Sequence, residues 1–202
     1  MPDYRRNYVP GGTWFFTVVT FERSPLFAQE DSRALLRGAI QTVRARFPLS
    51  IVAIVLLPDH LHCIWTLPEG ESNHSTHWRR IKEQFTRTYL DAGGAEGNRR
   101  ESRLRHGERA VWQRRFWEHT CRDQDDLNRC IDYIHWNPVK HGLVERVRDY
   151  PWSSFHRYVE HGVYPLDWGS VDPCPGYVSP EWNDEGFGNP ETPSMGTVVV
   201  DP

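Results

Sequence analysis

Cysteine is scarce and scattered. Cys63, Cys121, Cys130 and Cys174 form no CxxC pair, which argues against a cysteine-built zinc site and against a disulfide framework; they read as reduced, packed thiols. No apolar run is long enough to cross a bilayer, and Met1–Val9 is polar and basic without a hydrophobic signal segment, so a cytoplasmic location is expected. A glycine-rich phosphate loop and internal repeats are also missing, which sets aside P-loop nucleotide chemistry and solenoid folds. Positive charge is absent from one end. The last basic residue is Arg157, and residues 160–202 carry eight acidic side chains with no lysine or arginine.

What is present is a chain of 202 residues with 38% hydrophobic content, enough for one core of ordinary size. The net charge of −3 divides unevenly, since the acidic end leaves +5 on residues 1–159. A basic body favours a polyanionic partner, and an acidic tail can compete for the same surface. The expected organisation is an N-terminal arm at 1–12, the main folded domain at 13–159 and an acidic, Pro/Gly-rich tail at 160–202. Truncation after Trp168 is expected to tighten binding of that polyanion most at low salt; unchanged affinity at every salt concentration would contradict this.

Hydrophobic periodicity gives the elements. Trp14–Phe21 is β-branched and aromatic, as is a first strand, and Asp31–Arg46 has helical spacing closed by Pro48. Ser50–Leu57 and Leu61–Leu67 read as strands joined by a turn at Pro58 and Asp59. Thr76–Asp91 is an amphipathic helix with Arg79, Arg80, Lys82 and Arg87 outward. Asn98–Phe116, with seven arginines against two glutamates, reads as a basic loop leading into a strand that ends near His119. The order β-α-β-β-α-β predicts an α+β, ferredoxin-like antiparallel sheet with helices on one face. Beyond it, Asp123–Trp136 is helical and stops about Asn137 because of Pro138, and Asp149–Tyr158 packs back as a short helix begun by Ser153 or Ser154.

Two stretches carry the chemistry. In Leu56-Leu57-Pro58-Asp59-His60-Leu61-His62-Cys63-Ile64-Trp65, strand alternation puts His60 and His62 on one face and Leu61 and Cys63 on the other. In Asp132-Tyr133-Ile134-His135-Trp136-Asn137-Pro138, helical spacing stacks Tyr133 and Asn137 one turn apart. If the two meet, His60, His62 and Asn137 form a neutral ligand set for a divalent metal, with Tyr133 beside it as nucleophile on a phosphodiester. On residues alone the plainer alternatives stand: a histidine pair without metal, Tyr133 as packing and Asn137 as a helix stop. His119 is a candidate to support a metal ligand from behind or to act as an acid/base group, or is an ordinary surface or core histidine. Cations mixed with aromatics at Arg5 and Arg6, on the Arg79/Arg80/Arg87 face and around Arg114 and Arg115 suit single-stranded nucleic acid.

The sequence also resembles a known family. Pro58-Asp59-His60-Leu61-His62 resembles the His-hydrophobe-His motif of single-tyrosine, single-strand DNA transposases. Trp112-Gln113-Arg114-Arg115-Phe116-Trp117-Glu118-His119, Tyr133-Ile134-His135-Trp136-Asn137-Pro138-Val139-Lys140-His141-Gly142 and Trp152-Ser153-Ser154-Phe155-His156-Arg157-Tyr158 resemble its REP-associated branch. The resemblance implies Tyr133 as nucleophile and His60, His62 and Asn137 as ligands for Mg²⁺ or Mn²⁺. It further implies a monomeric or weakly associating protein that binds repeat palindromes as hairpins with a short single-stranded flank, Lys140 among the DNA contacts, and cleavage and rejoining through a 5′-phosphotyrosine. The runner-up is a catalytically inactive, RRM-like nucleic-acid-binding protein; a hydrolase using metal-activated water is a third reading.

Overall fold

A computed structural model describes residues 8–173 and residue 175. Arg5, Arg6, Cys174 and most of the acidic tail lie outside the described residues. Strands β1 (Thr13–Val19), β2 (Ser50–Leu56), β3 (His60–Thr66) and β4 (Trp117–Thr120) form one antiparallel sheet in the order β2-β3-β1-β4. Helices α1 (Glu30–Arg46) and α2 (His74–Asp91) cover one face, and α4 (Gln124–Lys140) lies over the other. Two short helices complete the set, α3 (Glu101–Arg105) and α5 (Phe155–Glu160). This is the ferredoxin-like architecture with an added helix.

The sheet separates two cores because side chains alternate along each strand. Trp14, Phe16 and Val18 of β1 and Leu61, Cys63 and Trp65 of β3 pack beneath α1 and α2. Phe15 and Ile64 point the other way, into a core with Leu127, Cys130, Ile131, Tyr133 and Ile134 of α4. Both central strands are therefore apolar on both sides. A register shift between Ile51 and Ala53 lets β2 serve both cores despite its odd spacing.

Several boundaries differ from those the sequence predicts. Helix α4 does not stop at Asn137; it runs through Pro138 to Lys140. Proline removes one ladder donor, but the turn that follows supplies others: the amides of His141, Gly142 and Leu143 donate to the carbonyls of Asn137, Val139 and Pro138 at 3.0, 2.9 and 2.9 Å. Gly142, at φ +65°, takes the left-handed position that this C-terminal motif needs. Helix α2 starts at His74 because the Asn73 side chain accepts from the Thr76 amide at 3.1 Å. The predicted strand ending at His119 is shorter, and the expected basic loop contains α3, whose Arg103 is buried and donates to the carbonyls of Arg109 and Trp112.

Behind α4, the segment that follows it folds back as a brace. Trp152 and Ser154 pair with the outer edge of β2, and Ser154 Oγ accepts from the Ile54 amide at 2.9 Å and contacts His135 Nε2 at 2.8 Å. Tyr158, Tyr164 and Trp168 meet the His135 ring edge-on, and Tyr164 donates to Asp132. The packed body thus continues past residue 159 to Trp168. Burial, reinforced by the charge of Arg157, depresses the His135 pKa to about 3.

The unfolded chain therefore takes up this proton first. Stability that depends on neutral His135 is complete above about pH 6.5 and is lost as pH falls toward 3, by about 5 kcal/mol across the whole window. Denaturant titrations between pH 7 and 4.5 should show wild-type stability falling by about 1.4 kcal/mol more per pH unit than that of His135→Gln. Equal slopes would contradict this assignment.

Candidate active site

His60 opens β3 and His62 follows two residues later, both on the face covered by α4. Their ring centroids are 4.9 Å apart. Each ring has one nitrogen engaged. His60 Nδ1 lies 2.6 Å from Asp59 Oδ1, and because a carboxylate only accepts, this nitrogen donates and Nε2 is left to face a ligand. His62 Nδ1 lies 2.9 Å from Thr17 Oγ1, while its Nε2 is buried with no hydrogen-bond partner among the described residues. Burial first, then the charges of His60, His141, Lys140 and Arg23, holds the His62 pKa well below the usual range. The ring is neutral at pH 7, the form that ligates metals.

Helix α4 brings its side chains down at matching intervals. The Tyr133 ring sits 5.3 Å from the His62 ring, and the His141 ring sits 5.3 Å from the His60 ring. Asn137 lies midway between Tyr133 and His141 on the same helix face, one turn from each. Its side chain is fully buried, and neither Oδ1 nor Nδ2 finds a hydrogen-bond partner among the described residues. An amide left this way costs about 1–3 kcal/mol, so its presence calls for a ligand that uses it. The Lys140 ammonium donates to the Tyr133 hydroxyl at 3.3 Å, and Tyr133 itself is only 1% exposed.

The donor set suits a divalent ion. Two imidazoles and an amide oxygen can ligate as neutral groups, and His62 Nε2 and the Asn137 amide, both without a partner among the described residues, belong to the strand and the helix that meet at the Tyr133–His62 ring contact. Sequence reasoning missed Asp59, Thr17 and His141 as parts of this site. In the sequence Asp59 reads as a turn residue and as part of the His-hydrophobe-His motif, and His141 lies in the second motif but beyond the helix stop that Pro138 predicts, so neither shows its contact with His60. Burial raises the Asp59 pKa, but hydrogen bonds and charges from His60 and Arg23 outweigh it and hold the carboxyl at about 2.

His119 sits elsewhere. It pairs with Phe15 across the β1–β4 register and lies 2.8 Å from Asp126 Oδ2, in the first turn of α4 and two turns before Tyr133. His119, Asp126 and Cys130 bring ligand atoms within 4.8 Å of one another. Asp126 is already occupied there, accepting from the Arg122 amide at 3.0 Å and flanked by the Arg122 and Arg129 guanidiniums. Those two cations oppose a third positive charge.

The expected DNA-contacting residues divide into groups. Arg79, Arg87 and Arg114 line one cleft of about 880 Å³ between α2 and the 103–116 segment, over Trp78, Trp112 and Phe116. Arg115 borders a second cleft of about 580 Å³ with Arg100 and Arg103. Arg80 turns away and covers the Phe47 ring at 3.4 Å. Lys140 stands at Tyr133, on the opposite side of the sheet from α2.

No protein-family profile matches the chain. It is 46% identical over 169 residues to the REP-associated tyrosine transposase of Escherichia coli, covering 83% of this chain and 91% of that protein. Identity to a Haemophilus influenzae protein of the same description is 43% over 169 residues, covering 84% and 94%. Among solved structures, a REP-associated tyrosine transposase bound to a REP hairpin matches with a TM-score of 0.71 and 43% identity, covering 89% of this chain and 99% of that one. Fold, coverage and identity together define a DNA-processing transposase. More narrowly, the chain belongs to the REP-associated tyrosine transposase family. No described helix is long and apolar enough to cross a membrane.

Proposed function

We propose that this chain is a metal-dependent transposase that cleaves and rejoins DNA at hairpins of repeat palindromes through a 5′-phosphotyrosine on Tyr133. The observation that carries the reading is that the buried His62 Nε2 and Asn137 amide lack hydrogen-bond partners among the described residues, on the strand and the helix that meet where the Tyr133 ring lies 5.3 Å from the His62 ring. When bound by His60, His62 and Asn137, Mg²⁺ or Mn²⁺ would supply Lewis-acid polarisation of the scissile phosphate.

The chain's own residues do the rest. Tyr133 Oη attacks phosphorus in line with the departing 3′-oxygen; the phenol loses its proton to solvent and the 3′-oxygen gains one, leaving a free 3′-OH. A 3′-OH can later displace Tyr133, so the bond energy is kept and ATP is not required. Lys140 covers Tyr133 with an exposed, flexible chain. An entering phosphate attracts that ammonium, which uncovers the hydroxyl and places a cation against the phosphate. The brace from its own chain ties α4 to β2, which supports a nucleophile that acts in cis in a monomer. Arg79, Arg87, Arg114 and Arg115 hold the DNA backbone around the aromatic cleft, and a REP-type DNA hairpin is the substrate class favoured by similarity to a hairpin-bound relative.

The 1% exposure of Tyr133 favours the runner-up, a nucleic-acid-binding protein without catalysis. Incubation of the chain with an end-labelled palindromic hairpin and Mn²⁺, followed by denaturing electrophoresis, separates the two. A labelled band at the mass of the protein is expected; hairpin binding with no such band would favour the runner-up.

A further inference from the structure

At the end of the sheet nearest His60, two consecutive residues that are not glycine, Glu22 and Arg23, hold left-handed backbone at φ +50° and +52°. Side chains disfavour this conformation, and glycine would adopt it at little cost. Arg23 therefore occupies a position where its side chain must be of use. Its Nη1 donates to Asp59 Oδ2 at 3.0 Å, and the other carboxylate oxygen, Oδ1, takes His60 Nδ1 at 2.6 Å. The segment is fixed onto the β2–β3 turn by backbone as well: the Thr20 amide and hydroxyl reach the Asp59 carbonyl at 2.9 and 2.8 Å, and the Phe27 amide reaches the Pro58 carbonyl at 2.9 Å.

Resting on the metal site read above, we infer that Arg23 and Asp59 are positioning residues, a serial relay that fixes the His60 ring so that Nε2 points at the site. Asp59 fixes the ring's rotation and which nitrogen carries hydrogen; Arg23 fixes Asp59. Neither touches the substrate or the ion. The strained backbone aims Arg23 at the carboxylate, and an exposed Arg–carboxylate pair adds little to folding stability, so its contribution is to the site.

The test is Mn²⁺ binding to the full chain, followed by the electron paramagnetic resonance signal of the free ion, with thermal melting alongside. Asp59→Ala should raise the Mn²⁺ Kd by about 10–100-fold, as removal of an outer-shell partner of a ligating histidine does. Arg23→Gly should raise it by about 3–10-fold while melting no lower than wild type, because glycine relieves the backbone; a merely structural arginine would lower the melting temperature. In a serial relay the double variant binds no more weakly than Asp59→Ala alone. An Asp59→Ala Kd within twofold of wild type, or an Arg23→Gly penalty that persists undiminished in the Asp59→Ala background, would overturn the relay. Should Asp59→Ala fail to fold, Asp59→Asn takes its place. His62→Ala separates the two ideas: if it binds Mn²⁺ as wild type does, the metal site itself is misplaced, whereas loss in His62→Ala with no change in Asp59→Ala removes only the relay.

Discussion

Tyr133→Phe should abolish the covalent protein–DNA adduct while leaving hairpin affinity within about twofold of wild type. The substitution deletes one oxygen from a ring that packs against His62 and Phe15, so the packing survives. What is lost is the nucleophile, for which no side chain substitutes, and the acceptor for Lys140. Loss of an essential nucleophile typically costs several orders of magnitude, about 10⁴–10⁶ in rate, so the adduct falls to background. His62→Ala should also lose the adduct, through the metal rather than through the attacking atom, and raising Mn²⁺ should restore part of it. If Tyr133→Phe still cleaved DNA while His60→Ala did not, a hydrolase using activated water would be the better description.

The second large effect is a gain. Asn137→Leu should make the metal-free protein more stable by about 1–2 kcal/mol, because it replaces an amide whose oxygen and nitrogen are both buried without partners by an apolar side chain of similar volume. The same change should abolish high-affinity Mn²⁺ binding. Stability lost to a functional group is expected at active sites, where local rules of burial are broken for chemistry. Denaturant unfolding in EDTA, paired with Mn²⁺ titration, measures both. A destabilised variant would mean that the amide is satisfied and that its role is structural.

The parts legible in the sequence are those governed by a fixed period. Strand alternation required His60 and His62 to share a face whatever the exact strand ends, and helical spacing required Tyr133 and Asn137 to stack. The apolar sequences of β1 and β3 likewise announced burial on both sides. What was not legible depends on contacts distant in the chain. Pro138 signalled a helix stop, but the amides of His141, Gly142 and Leu143 carry the helix past it, and with it Lys140 and His141 to the site. The Arg23–Asp59 contact needs left-handed backbone at two residues with no glycine to mark it. Cys121 and Cys130, nine positions apart, come together in one core across the β4–α4 junction, a proximity that no motif spacing suggests. His119, set in a motif with aromatics and arginines, is drawn to Asp126 rather than toward His60.

Anomalous diffraction at the manganese edge, from crystals grown with Mn²⁺ and a palindromic hairpin, tests the central claim most directly. The account predicts a single protein-bound peak contacted by His60 Nε2, His62 Nε2 and the Asn137 side-chain oxygen, beside the Tyr133 hydroxyl. A peak at His119, Asp126 and Cys130 with none between β3 and α4 would contradict it.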